Sequence, residues 1–155
     1  MKLLGEFYEM LYHIYAVMKD IPNQIDTAAN FGEILKETRG EMSTDYAQAL
    51  YMKAKAYFQD ENTPDTLALT TVRKSINIWR NTPLTGSPKD MNHAMALILK
   101  AHILVNGLKK YREAIKVYHK ACIIVNEISG AKMNLENLIN NIVGECDKVI
   151  KQHKE

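Results

Sequence analysis

An all-α fold of antiparallel helical hairpins follows from three features of the chain. Apolar residues recur at steps of three and four along almost its whole length, the spacing that gathers side chains on one face of a helix. Breakers are few, with 7 glycines and 4 prolines in 155 residues. The apolar/polar alternation that marks strands is almost absent. The breakers that do occur divide the chain into seven helices. These pair as hairpins over about 3–40, 43–80 and 89–127, followed by a lone helix at about 132–151.

The first helix, Leu3 to Met18, carries Leu4, Phe7, Tyr8, Leu11, Tyr15 and Met18 as a stripe, broadened by Ile14. It stops near Asp20, because Pro22 disfavours helix at the preceding residue. The second helix runs from about Gln24 to Thr38, with Ile25, Ala28, Ala29, Gly32, Ile34 and Leu35 inward and Gly40 available for its exit. Ser43 is placed to cap the third helix, and Asp45 lies in its first turn, where a carboxylate favours the helix dipole. Tyr46, Ala47, Leu50, Tyr51, Ala54, Tyr57 and Phe58 form its apolar set to about Gln59.

Thr63-Pro64-Asp65 reads as the start of the fourth helix, a capping hydroxyl followed by a first-position proline. Its face holds Leu67, Ala68, Thr71, Val72, Ser75, Ile76 and Trp79. Asn81 to Ser87 form the richest turn segment. Ser87-Pro88 repeats the capping pattern ahead of the fifth helix, about 89–105, whose face holds Met91, Ala94, Met95, Leu97, Ile98 and Ala101. Asn106-Gly107 turns the chain into the sixth helix, 108–125. There Tyr111, Ala114, Ile115, Tyr118, Ala121, Cys122 and Val125 share one face, opposite Lys110, Arg112, Glu113, Lys116, His119 and Lys120. The last helix carries Leu135, Leu138, Ile139, Ile142, Val143, Cys146 and Val149-Ile150. The core is expected to include Ala54, Tyr57, Trp79, Ala101, Ala114, Tyr118 and Ala121.

The sixth helix mixes alanines with rings, and an alanine on a core face lets a second helix approach closely. Its pattern Tyr111-x-x-Ala114-x-x-x-Tyr118-x-x-Ala121 resembles the second helix of a tetratricopeptide repeat (TPR) unit, with alanine, an aromatic four residues on and alanine three later. Ala68, Val72 and Ser75 repeat that spacing in the fourth helix, with valine and serine as departures. Small residues at the expected crossing of each first helix, Gly5, Ala54, Ala101 and Gly144, are separated by 49, 47 and 43 residues. A family unit repeats at about 34, so the resemblance is to a divergent array of longer repeats. It implies stacked hairpins closed by a capping helix with a polar outer face.

The resemblance also implies a role as a scaffold or adaptor that binds a peptide or helix of another protein. In TPR folds the first helix of each pair lines a concave groove. Carried onto this chain, the groove residues are Gln48, Tyr51, Lys55 and Gln59 from the third helix. The fifth contributes Ile98, His102 and Asn106, and the seventh Asn141, Glu145 and Lys148. The family's carboxylate clamp for chaperone C-termini needs lysine, arginine and asparagine at positions held here by Met95, Ile98, Leu99 and His102, so no such clamp is expected.

Bulk properties narrow the alternatives. The hydrophobic fraction is 46% and the charged fraction 25%, ordinary for a folded domain. Net charge is +2, far short of a strongly cationic nucleic-acid binder. Two readings remain beside the adaptor. One is a nucleic-acid-associated role through Lys109, Lys110, Arg112, Lys116, Lys120, Lys148 and Lys151, disfavoured because lysines ordinarily solvate helix faces. The other is self-association as a homo-oligomer or subunit of a larger complex, through Phe7, Tyr8, Tyr12, Ile14 and Tyr15. No apolar run is long enough to span a bilayer, and the N-terminus does not read as a signal peptide, so no membrane role and a cytoplasmic location are expected. Cys122 and Cys146 fall on apolar faces as small hydrophobes. None of the five histidines sits in a His-x-x-x-His or Glu-x-x-His array, and no phosphate-binding glycine loop or nucleophile elbow occurs. No metal, cofactor, catalytic residue or enzymatic activity is therefore expected.

Overall fold

The computed structural model describes the backbone of residues 2–128 and 133–153; within the latter segment the side chains of 133–136, 138, 139, 149 and 153 are not described. Among the described residues the chain is all-helical. It divides into two compact units, Met1–Thr82 and Pro83–Glu155.

The first unit contains α1 (Lys2–Val17), α2 (Ile21–Arg39), α3 (Thr44–Gln59) and α4 (Asp65–Arg80), each packed on the next. The turn between α1 and α2 is a Schellman closure. Asp20 N–H reaches the Tyr15 carbonyl at 2.9 Å and Lys19 N–H the Ala16 carbonyl at 3.1 Å, with Lys19 left-handed at φ 58. Asp20 then caps α2 by accepting from the Asn23 N–H at 3.3 Å and its side-chain amide at 2.7 Å. The second helix therefore starts at Ile21, three residues before the expected Gln24. Pro22 falls in its first turn, where its missing N–H costs nothing.

Gly40 ends α2 at φ 101, a conformation that L side chains rarely adopt. Ser43 caps α3 as its position predicts, accepting the Tyr46 N–H at 3.2 Å. At α4 the expectation changes. Thr63 does not cap; its hydroxyl donates to Asp60 at 2.6 Å, and Pro64 occupies the capping position.

Packing follows the small-and-large pattern. A Cβ on Gly5 would sit 3.7 Å from the Phe31 ring, and one on Gly32 would sit 3.7 Å from both Ala49 Cβ and the Tyr46 ring. Ala28, Ala47, Ala54, Ala56 and Ala68 are wholly buried. One apolar cluster unites Tyr12, Ala28, Phe31, Leu35, Ala49, Met52 and Ala56, with Tyr8 stacked on Phe31 at 5.1 Å. The α3–α4 hairpin is pinned where the buried Ser75 hydroxyl donates to the Ala47 carbonyl at 2.7 Å. Tyr57 does not join the core; it is half-buried, with the Lys53 ammonium 5.6 Å from its ring centre.

The second unit begins with a 3₁₀ turn at Pro88–Asp90 and contains α5 (Met91–His102), α6 (Tyr111–Asn126) and α7 (Met133–His153). Ser87 makes no side-chain cap. Asp90 does the anchoring, turning back to accept from Gly86 N–H at 2.7 Å, Thr85 N–H at 3.1 Å and the Thr85 hydroxyl at 3.1 Å. Burial alone would push the Asp90 carboxyl up. The backbone donors of Thr85 and Gly86, the Thr85 hydroxyl and nearby His93 outweigh it and hold the carboxyl below its ordinary range.

The fifth helix does not run on to Val105 in α form. Ile103–Gly107 widens to a π-helical turn, closed by Leu108 N–H on the Ile103 carbonyl and Lys110 N–H on the Leu104 carbonyl. Lys109, at φ 57, supplies the left-handed residue of this turn. On α6, Ala114, Tyr118, Ala121, Cys122 and Val125 are buried as expected, and Tyr111 and Ile115 are half-buried. Both cysteines are buried and no disulfide links them. Gly144 departs from expectation: it is exposed, and a Cβ there would meet nothing within 4 Å, so it marks no close crossing.

Candidate functional site

Three faces of α1 meet different surroundings, and one of them builds a cleft with α3. Lys2, Gly5, Glu6, Glu9, Tyr12 and His13 recur at helical spacing and form one stripe. Tyr12 anchors it. This ring is only 4% exposed, and its hydroxyl donates to the Met52 carbonyl of α3 at 2.9 Å. Burial pushes the Tyr12 phenol up to about 12; a hydrogen bond with the buried Gln24 side chain opposes this in part, and nearby Tyr51 adds to it.

Above this anchor lies a cleft of about 130 Å³ lined by Glu9, Tyr12 and His13 from α1 and by Gln48, Tyr51, Met52 and Lys55 from α3. A larger hollow of about 280 Å³ shares Glu9 and Gln48 with it and is lined also by Lys2, Gly5, Glu6, Phe31, Leu35, Arg39 and Asp45. The shared residues set the two hollows side by side on the α1–α3 flank. At the larger end Arg39 faces Asp45 across 3.7 Å, an exposed pair of small energetic weight.

The walls offer an amide, a phenol, an imidazole and charges of both signs over an apolar floor. Burial raises the Tyr51 phenol above its ordinary range, so Tyr51 and Tyr12 are protonated hydrogen-bond donors at neutral pH. Such a shift is opposite to the one that activates a nucleophile. Among the described residues no group of three or more His, Cys, Asp or Glu could hold a metal ion. Among the same residues no helix is long and apolar enough to cross a membrane.

The expected groove residues separate into three outcomes. Gln48, Tyr51 and Lys55 come together in the cleft, while Gln59 is exposed at the end of α3 outside it. Ile98 is 7% exposed and belongs to the core of the second unit, so it does not present its side chain to a groove. His102 is half-buried with its ring 5.7 Å from that of Tyr118, and burial lowers its pKa. Asn106 is exposed in the π-helical turn, where its carbonyl accepts from Lys109 Nζ at 3.2 Å. Asn141, Glu145 and Lys148 are exposed on α7, and Glu145 pairs with Lys148 at 3.2 Å.

Of the α1 wall, sequence reasoning named only Tyr12, and placed it on an exposed self-association surface; the structure instead buries Tyr12 against α3. The signal was present as the polar stripe Glu6, Glu9, His13, which lies on a different face from the apolar stripe. No family model matches the chain, nor does any curated protein sequence or solved structure.

Proposed function

We propose that this chain is a protein-interaction module, with hairpins stacked in the TPR manner, and that the α1–α3 cleft holds an extended or helical peptide of a partner protein. The observation that carries this reading is the convergence of Gln48, Tyr51 and Lys55 with Glu9, Tyr12 and His13 on one cleft. In TPR arrays the first helix of each hairpin lines the groove, and on this reading α1 and α3 are those first helices. At about 130 and 280 Å³ the hollows are small beside the clefts that enclose a compact metabolite, which favours a peptide lying across them. Gln48 supplies both donor and acceptor for a peptide backbone, Tyr51 a donor, and Lys55 and Glu9 opposite charges for side-chain selection.

A random peptide library displayed on phage and selected on the protein tests this. The expected result is an enriched motif whose synthetic peptide binds with micromolar affinity, weakened about tenfold or more by Lys55→Glu or Gln48→Ala. Both side chains can change without opening the core, because Lys55 is exposed and Gln48 half-buried. Selection of no motif, or of one whose peptide is indifferent to both substitutions, would remove the cleft as the binding site.

A further inference from the structure

The third face of α1 is apolar, exposed and regular. Leu3, Phe7, Met10, Ile14 and Val17 are all between 48% and 84% exposed. Their spacing is four, three, four, three, the seam of a helix that packs on another helix in heptad register. The seam is rotated by roughly a third of a turn from the cleft stripe, as helical geometry of about 100° per residue requires. The side of α1 opposite the seam faces inward: Tyr12 is buried and Gly5 approaches Phe31. The seam therefore points away from the unit to which α1 belongs.

We infer that a second copy of this chain covers this face, with the two α1 helices packed antiparallel along the seam. Charge complementarity selects the occupant and its direction. Glu6 and His13 flank the seam on one side, one heptad apart, and both are exposed. When Leu3 lies opposite the partner's Ile14, and Phe7 opposite the partner's Met10, Glu6 falls beside the partner's His13. The two-fold axis repeats that pair, so each imidazole N–H meets a carboxylate. A parallel arrangement would instead place Glu6 beside the partner's Leu11, an apolar neighbour. On the other flank Leu4, Leu11 and the exposed Met18 broaden the apolar contact in the antiparallel pair.

A seam of little more than two heptads is below the standard interface size, so the dimer is weak, with Kd on the order of 10 µM. Sedimentation equilibrium from about 5 to about 500 µM brackets that value. The wild type is expected to show a monomer–dimer equilibrium. Phe7→Glu/Ile14→Glu is expected to be monomeric throughout with an unchanged far-UV circular dichroism spectrum. Neither residue lines the cleft, so this readout is independent of peptide binding. Glu6→Lys should weaken the dimer by about fivefold or more, and adding His13→Glu should restore it by reversing both pairs. A wild type that stays monomeric would overturn the inference and leave the seam to another partner. Loss of helicity in the Phe7/Ile14 variant would also overturn it, by placing those side chains in the chain's own core. A dimer indifferent to Glu6→Lys would overturn the antiparallel register.

Discussion

Tyr12 offers a test whose sign reverses with pH. Tyr12→Phe removes one hydroxyl from a buried site and leaves the ring volume unchanged. At neutral pH the variant loses the 2.9 Å bond to the Met52 carbonyl and strips a partner from the buried Gln24 side chain. A net hydrogen bond is worth about 0.5–1.5 kcal/mol, and leaving a buried amide short of a partner adds to it, so a loss of about 1–2 kcal/mol is expected. For a domain the size of the first unit this lowers Tm by about 4–16 °C.

At alkaline pH the balance inverts. The Tyr12 phenol moves from 10.0 unfolded to about 12 folded. Its folded pKa is raised, so the stability it contributes is complete below pH 10 and is lost as pH climbs through the folded value. That difference corresponds to roughly 2.7 kcal/mol. Phenylalanine has no proton to lose. Near pH 12 the variant should therefore be the more stable protein, by about 1 kcal/mol. Urea unfolding at intervals from pH 7 to 12, followed by circular dichroism at 222 nm, gives both arms. Equal stability at pH 7, or parallel losses in both proteins above pH 10, would refute the burial and bonding assigned to Tyr12.

Other expectations follow from packing and capping. Ala114→Trp or Ala121→Trp should cost on the order of 1–3 kcal/mol or more, since both alanines are wholly buried; wild-type melting in both would refute tight packing at these positions. Ser75→Ala should cost about 1 kcal/mol in urea unfolding, by removing the α3–α4 pin on the Ala47 carbonyl. Asp90→Ala should destabilise the second unit by about 2–3 kcal/mol, since it strips acceptors from Thr85 and Gly86 together. Because the folded Asp90 pKa is lowered, its contribution is present above the unfolded carboxylate value of 3.8 and fades as pH falls below that value. Acid unfolding that is unchanged in Asp90→Ala would contradict this.

Local signals were the most legible. Ser43 capped where it stood, and five of the seven α6 residues selected by spacing are buried, because both depend on neighbours within one turn. Helix ends were less legible, because rival residues competed for one role. Asp20 took the cap and drew Pro22 into the first turn of α2; Asp60 held the Thr63 hydroxyl that would have capped α4. Left-handed turns at Lys19 and Lys109 were invisible, since neither is glycine and the closing bonds span five and six residues. In the cleft, Gln48, Tyr51 and Lys55 were found from one helix alone. Glu9 and His13 were not, because which stripe of α1 faces α3 depends on how Tyr12 and Gly5 seat against other helices. Ile98 shows the reverse error. Its helix is buried around most of its circumference, with Ala96, Leu97, Ile98 and Leu99 consecutive in the core, so a position assigned by register fell inside.

The central claim, a peptide held between α1 and α3, is tested most directly by ¹H–¹⁵N correlation spectra of the labelled protein titrated with a selected peptide. The account predicts shift changes concentrated at Glu9–His13 and Gln48–Lys55, saturating at one peptide per chain. Changes confined to α6 or α7, or none at saturating peptide, would contradict it.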